Sequence, residues 1–289
     1  MLDIQPRQLE ILSDEECVKL LRSHDLGRIA LVDREARPLI FPVNYFFDER
    51  VIVFRTAPGA KLELAPGAYV SFEIDGWDPD EGIGWSVLAK GLAHDITNPR
   101  GAPTGRMRFW PVRPMAPGTR ERWVGIWADE ITGRKFRSDA QGPLPGRGRM
   151  KSTEPEGALE VISETKCLEI LGQRSLGRVA IVVDGQPQIF PVNYATNGRI
   201  ISFCTAAGSK FSHAPTSKVA FEIDQYDSIS GVGWSVMVEG FAIDATDAFD
   251  DVSWAARAAT PRPLAPGAKP YRVAIEASKI TGRRFRPSA

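Results

Sequence analysis

The chain has 289 residues, 36 basic and 36 acidic side chains, a formal net charge of zero and 43% apolar residues. Its length predicts two units of ordinary domain size, and zero net charge supplies no field to draw in nucleic acid or an anionic membrane. Three cysteines without a Cys-x-x-Cys pair exclude a disulfide framework, and three scattered histidines argue against a metal centre. No apolar run approaches a membrane span and no signal-peptide core opens the chain, so a cytoplasmic protein is expected.

A short helix comes first. Ser13 is a good N-cap, Glu16 completes a capping box, and Leu12 is placed to staple onto Cys17. Cys17, Leu20 and Leu21 form an apolar stripe at helical spacing, which makes Cys17 a core residue. Leu26-Gly27-Arg28 stops the helix and starts a strand. Runs rich in Val, Ile, Phe and Tyr over 28–32, 38–47, 50–57, 70–75, 85–96 and 122–128 predict further strands. Six or so short strands with a few helices point to a closed or nearly closed antiparallel barrel. Residues 98–120 read as irregular, proline-rich and partly helical.

From Arg137 to Gly157 glycine and proline are frequent, as in an exposed connection. The chain then repeats itself. Ile40-Phe41-Pro42-Val43-Asn44-Tyr45 returns as Ile189-Phe190-Pro191-Val192-Asn193-Tyr194, and Gly84-Trp85-Ser86-Val87 as Gly233-Trp234-Ser235-Val236. Ile131-Thr132-Gly133-Arg134 returns as Ile280-Thr281-Gly282-Arg283, and all three pairs lie 149 positions apart. Such a period is too long for a solenoid and marks a duplicated domain, with copies at 1–137 and 158–289 joined by a linker at 138–157. Cys167, Ile170 and Leu171 repeat the helical stripe, and Leu176-Gly177-Arg178 the helix stop. Asn197-Gly198 is a strong hairpin signal that assigns the weaker turn at Asp48-Glu49 by equivalence. Residues 247–269 match the irregular 98–120 segment.

Comparison of the copies separates held positions from drifting ones. Ile52, Phe54 and Thr56 persist as Ile201, Phe203 and Thr205, whereas the alternating Val53 and Arg55 become Ser202 and Cys204. One strand face was therefore held, as a barrel core would be, and Cys204 is no shared thiol. Thr56 fits a plain core less well, because a buried hydroxyl needs a partner. It opens Thr56-Ala57-Pro58-Gly59-Ala60-Lys61, repeated as Thr205-Ala206-Ala207-Gly208-Ser209-Lys210. A hydroxyl, a loop glycine and a lysine are what a phosphate dianion requires. The spacing is neither a Walker loop nor a dinucleotide fingerprint. Proline within Pro42-Val43-Asn44-Tyr45 implies an edge or a bulge. Either Asn44 satisfies a structural bulge, or the freed main chain meets a planar polar ligand such as a flavin ring. Trp85 and Trp234, each before a serine, form a core face or an aromatic wall against a cofactor. Arg134 and Arg283 are solvated strand ends or anion contacts. For the shared Glu73, Asp75, Glu222 and Asp224 the Phe-Glu-Ile-Asp alternation gives no reason to prefer catalysis over exposed barrel ends, and no general acid or base is assigned.

Together, in order and spacing, these blocks resemble the pyridoxamine 5′-phosphate oxidase-like superfamily of FMN-binding split β-barrels. The Leu-Gly-Arg entry, the Pro-Val-Asn-Tyr strand, the Thr-x-x-Gly-x-Lys loop and the Trp-Ser-Val strand with its later Gly91 carry the resemblance, once per copy. It implies a mainly β (α+β) fold of two tandem six-stranded antiparallel split β-barrels with short flanking helices, packed as an intrachain pseudo-dimer. It further implies FMN, or alternatively F420, between the barrels. Thr56, Lys61, Thr205 and Lys210 would hold the phosphate, and Val43, Asn44, Val192 and Asn193 would meet the ring. Pro42, Tyr45, Gly59, Trp85 and Ser86, with Pro191, Tyr194, Gly208, Trp234 and Ser235, complete the expected cofactor set. True pyridoxamine-phosphate oxidases carry an Arg-x-Val-Leu-Leu-Lys strand that grips FMN. Here that strand reads Ile-Phe-Pro-Val-Asn-Tyr, without either cation, which argues against oxidation of pyridoxamine phosphate. The expectation is a flavin-dependent oxidoreductase acting on a small organic substrate. The alternatives are a non-catalytic flavin- or F420-binding protein and an F420-dependent reductase. No metal, nucleic acid or membrane partner is expected.

Overall fold

The computed structural model describes residues 9–78, 80–98, 107, 110–112, 120–138, 159–227 and 230–285. Most of the linker and most of the 98–120 segment lie outside the described residues. The first copy runs β1 (Leu9–Leu12), α1 (Asp14–Ser23), β2 (Leu26–Val32), β3 (Pro38–Asp48) and β4 (Val51–Thr56), then α2 (Ala60–Leu64), β5 (Tyr69–Asp78), β6 (Ile83–Asp95) and β7 (Arg122–Arg137). The second runs β8 (Leu159–Ile162), α3 (Glu164–Gly172), β9 (Leu176–Val183), β10 (Gln186–Asn197) and β11 (Ile200–Thr205), then α4 (Ser209–His213), β12 (Ser217–Tyr226), β13 (Gly233–Asp244), α5 (Asp251–Ala258) and β14 (Tyr271–Phe285). In the first, the order β7-β4-β3-β2-β5-β6 closes by pairing β6 with β7. In the second, β11-β10-β9-β12-β13-β14 closes through β11 and β14. Each is a six-stranded antiparallel barrel, to which β1 or β8 adds a short flanking strand on β7 or β14.

Local sequence explains the entry to each barrel. Ser13 and Glu16 form the capping box on α1, and Ser163 caps α3 by accepting from Lys166 N. Cys17 and Cys167 are fully buried in their respective cores. The hairpin turns centre one residue later than expected, on Glu49-Arg50 and Gly198-Arg199, because Asp48 pairs with Val51 and Asn197 with Ile200. Glu49 and Arg50 both take positive φ, and Arg50 is secured by Ala128 N donating to its carbonyl and by its own ion pair to Asp14. Gly91 and Gly240 sit at register shifts of β6 and β13. A Cβ at Gly91 would collide with the Trp127 carbonyl, so the held glycine is a packing requirement.

Alternation assigns the faces. Ile52, Phe54, Phe72 and Ile126 fill the first barrel, and Ile201, Phe203, Phe221 and Ile275 the second. The face of β4 and β11 that drifted is buried at Val53 and Ser202 and half-buried at Arg55 and Cys204. Val53 joins Met107, Val112 and Trp123 in one copy, whereas Ser202 accepts from Arg272 Nη1 at 2.9 Å in the other. Partners on this face changed together, from apolar packing to a polar bond.

The outward faces of β2, β3 and β5 pack on those of β9, β10 and β12. Ala30, Ile40, Ala180, Ile189 and Ala220 form an apolar patch across this seam, and Ser71 Oγ donates to the Pro187 carbonyl at 2.5 Å. Beside it lies a buried ionic network. Arg28 clasps Asp224 with Nε and Nη2 (2.8 and 2.5 Å), and Arg178 clasps Asp75 in the same way (2.7 and 2.5 Å). Glu73 and Glu222, expected at exposed barrel ends, are fully buried here. The correction has a simple cause: in-register pairing sets Glu73 opposite Arg28 and Glu222 opposite Arg178 on the outward face, which the second barrel covers.

The charges balance when both glutamates keep their protons. Burial, with Asp75 beside it, pushes the Glu73 carboxyl well above the usual carboxylate range, and burial with Asp224 does the same for Glu222. Burial also works to raise Asp224, but the guanidinium groups of Arg28 and Arg178 overcome it and hold that carboxyl below its ordinary value. A raised folded pKa gives stability that is complete below the unfolded value and lost as pH rises toward the folded one. Glu73→Gln, which cannot titrate, should therefore gain on the parent by about 1.4 kcal/mol per pH unit above the unfolded value until Glu73 ionises. Urea denaturation at pH 5 and pH 8 reads this directly; an equal difference at both pH values would show that Glu73 is not held neutral.

Candidate functional site

Each barrel is split beside its third strand. β3 pairs with β2 from Pro38 to Asn44, but with β4 only from Tyr45 onward. β10 likewise meets β11 only from Tyr194. The second edge of Pro42-Val43-Asn44 is thus free of β4, whose chain turns away at Thr56 into the 56–61 loop. Pro42 fits such an edge because it has no N–H to leave unpaired.

Into this split opens a cleft of about 480 Å³ built from both copies. The first copy contributes Phe41 to Asn44, the loop from Thr56 to Lys61, and Arg120; the second contributes Ser235, Arg283 and Glu222. Gly59 has φ 136°, a conformation that side-chain-bearing residues rarely adopt, and open space where a Cβ would point. Thr56 is buried, and its hydroxyl donates to the Ala57 carbonyl at 3.0 Å. Lys61 Nζ lies 4.7 Å over the Phe41 ring. Burial, with the charges of Arg120 and Arg283 nearby, pulls Lys61 down to about 8. Three cations from two domains therefore converge on one loop.

The pseudo-symmetric side repeats the arrangement. Gly208 has φ 140°, and Lys210 Nζ lies 5.2 Å over Phe190. Burial, with Arg134 and Lys269 close by, brings Lys210 to about 8. Ser86 stands across from Arg134 just as Ser235 stands across from Arg283. Pro191, Val192, Asn193 and Thr205 occupy the positions of Pro42, Val43, Asn44 and Thr56. One contact differs. Asn193 Oδ1 accepts from Leu264 N at 2.9 Å, whereas among the described residues Asn44 Oδ1 is buried without a partner. Both amide groups anchor by Nδ2, Asn44 to the Asp25 carbonyl and Asn193 to that of Ser175.

The expected residues divide accordingly. Pro42, Val43, Asn44, Thr56, Gly59, Lys61 and Ser235 meet in the cleft. Tyr45 and Tyr194 instead point into the cores and donate to the Leu21 and Leu171 carbonyls (2.9 and 2.8 Å), tying β3 and β10 to α1 and α3. Trp234 is a core residue lying under Arg174, the half-buried Trp85 packs 4.7 Å from the His24 ring, and neither lines the cleft. Arg134 and Arg283 reach the cation clusters. Sequence reasoning missed Arg120 and Lys269, although the 149-residue period aligns them as a shared cation inside otherwise irregular segments. It also missed Glu222 as a cleft residue.

A family profile described as pyridoxamine 5′-phosphate oxidase matches residues 13–135 and again 163–284. The chain belongs to this family. Its two matches cover both barrels and leave out the linker. Among relatives of the family fold, an uncharacterized protein of Mycobacterium tuberculosis is 32% identical over 143 residues, 47% of this chain and 91% of its own. A solved FAD binding protein from Mycobacterium smegmatis is 36% identical, with a TM-score of 0.38, over 44% of this chain and 98% of that one. An FAD-binding protein from Mesorhizobium loti is 20% identical, with a TM-score of 0.36, over 45% and 98%. Each of these matches about half of this chain. Among the described residues, no helix is long and apolar enough to cross a membrane.

Proposed function

We propose that the protein is a flavin-type oxidoreductase that holds FMN, or alternatively F420, in the cleft between its barrels. The observation that carries this reading is the convergence of Lys61, Arg120 and Arg283 on the open Thr56–Lys61 loop, beside the stretch of β3 that β4 leaves unpaired. Among the described residues Lys61 has no carboxylate partner, so its charge is available to a phosphate. Asn44 Oδ1, buried and without a partner among the described residues, supplies an acceptor for a ring N–H, and the cleft volume is in the range of cofactor sites. The residues present thus fit a phosphorylated, planar, polar cofactor, and family membership agrees with that fit.

Such a cofactor would supply the hydride- or electron-carrying ring, which no side chain provides. The chain's own groups bind and orient: the cations neutralise the phosphate, Gly59 lets the main chain approach it, and Pro42 to Asn44 line the ring. No histidine, cysteine or tyrosine lines the cleft among the described residues. The same observation favours a second reading, a flavin- or F420-holding module without turnover. Titration with FMN and with F420, followed by visible absorption and fluorescence quenching, tests binding. Anaerobic reduction with nicotinamide donors, then reoxidation by candidate acceptors, tests catalysis. Binding with reduction and reoxidation faster than free cofactor supports the enzyme; binding without acceleration supports the module; failure to bind either cofactor sinks both.

A further inference from the structure

The two clefts differ in charge. Along one face of β14, Arg283, Thr281 and Lys279 line the first copy's cleft, with Ser235 and Met237 beside them on β13. The equivalent row on β7 reads Arg134, Thr132 and Glu130, so its far end has changed sign between the copies. Each end residue is paired across to the neighbouring strand, and the polarity of the pair is inverted. Lys279 Nζ meets Glu239 at 2.7 Å, with the lysine 61% and the glutamate 19% exposed. Glu130 meets Lys90 at 3.2 Å, with the glutamate 50% and the lysine 16% exposed. In both pairs the more exposed member belongs to the Arg-Thr row, so the first cleft presents a cation there and the second an anion. A second exchange runs the same way. Arg55 lines the first cleft, its Nε donating to the Arg120 carbonyl at 2.9 Å, and Cys204 takes its place in the other copy. Together the exchanges remove two positive charges from the second cleft and add one negative charge.

Lys61, Arg120 and Arg283 already supply the charge that a phosphate dianion needs. Lys279 stands four residues from Arg283 on the same strand face, about 13 Å away at the rise of an extended strand. That is too far for the same phosphate, but within reach of a second group on the ligand or of a substrate lying beside it. We propose that the two clefts select ligands of different charge: the first takes a further anionic group, a carboxylate or phosphate, at Lys279, and the second repels that group at Glu130. This rests on the flavin reading of the cleft and adds Lys279 and Glu130 as the residues that set its charge specificity.

Swapping each pair tests this without altering net charge. Lys279→Glu with Glu239→Lys gives the first cleft the polarity of the second, and Lys90→Glu with Glu130→Lys does the reverse. Lys210→Ala confines binding to the first cleft, and Lys61→Ala to the second. Two pairs of probes separate the sources of the anion. F420 carries carboxylates beyond its phosphate, and FMN does not. Benzoate and its neutral analogue benzamide stand in for a substrate, titrated into the FMN-loaded protein and read by the shift of the flavin absorption band. In the Lys210→Ala background the first swap should weaken F420 or benzoate about five- to tenfold, because an exposed pair is modest in strength but repulsion replaces attraction. FMN and benzamide should stay within about twofold, since the swapped pair lies beyond a Debye length from the phosphate at physiological salt. In the Lys61→Ala background the second swap should strengthen whichever charged probe the first one weakened. An effect on F420 places the anion on the cofactor, and an effect on benzoate places it on the substrate; either supports the proposal. Equal effects on charged and neutral probes, or no effect on either charged probe, would overturn it while FMN binding leaves the flavin reading intact. A parent that binds neither cofactor would end both.

Discussion

Arg28→Met should cost about 3–5 kcal/mol of stability at pH 7, the range for removing one partner of a buried ion pair. The guanidinium is buried and bidentate on Asp224, so its loss leaves a carboxylate in the seam with only Arg178, 3.5 Å away and already engaged by Asp75. Four acids would then share one arginine. The deficit should shrink on acidification, because the stranded carboxylate becomes neutral. The double variant Arg28→Met with Asp224→Leu should recover more than half of the loss, since an apolar pair of similar volume replaces the ionic one. Urea denaturation followed by tryptophan fluorescence measures both. A loss below 1 kcal/mol would mean that this seam is wet, and the account of the buried network would fail.

Lys61→Ala should weaken FMN binding by roughly 10–100-fold, as expected for a charge-assisted bond to phosphate. Arg283→Ala should act on the same equivalent of cofactor although it lies in the other half of the chain, because the Lys61 ammonium feels both Arg120 and Arg283. Lys210→Ala should remove the second, pseudo-symmetric equivalent, because Lys210 repeats the setting of Lys61 over Phe190 and beside Arg134 and Lys269. Full occupancy in the Lys61→Ala, Lys210→Ala double variant would refute the phosphate assignment. The pH dependence follows from Lys61 near 8 in the free protein. A bound dianion raises that value, so above pH 8 binding must take up a proton, and affinity should fall by up to about tenfold per pH unit. Below pH 8 this group leaves affinity flat. Isothermal titration in two buffers of different ionisation heat reads the proton uptake directly.

Much of the fold is legible in the residues because it is locally encoded. Ser13 with Glu16, the Cys17–Leu21 stripe and the β-branched runs each report their element within a few positions. The repeat added what a single copy hides: Asp48-Glu49 is a poor turn signal, and Asn197-Gly198 locates it to within one residue. The Thr56–Lys61 loop and the Pro42 edge were visible for the same reason, since each is a short block with its own backbone chemistry. Tyr45 and Trp85 were harder to place. They sit beside the cleft in sequence, but a strand sends neighbours to opposite faces, and the face of Tyr45 is settled by the Leu21 carbonyl that its hydroxyl reaches. Glu73, Asp75, Glu222 and Asp224 misled for a related reason. An acidic residue alternating with Phe and Ile reads as solvent-facing until a second barrel covers that side.

The amino-acid sequence by itself determined two barrels of one family, their helices and strands, and the loop that carries Thr, Gly and Lys, because these depend on residues close together in the chain. The tertiary structure decided what depends on residues roughly 100–220 apart: that Arg28 clasps Asp224 and Arg178 clasps Asp75, that Arg283 joins Lys61 and Arg120, and that Glu222 lines the cleft beside the first copy's loop. Burial raises Glu222 and lowers Lys61, while the arginines hold Asp224 down against it, and burial between two barrels is a property of how the copies dock.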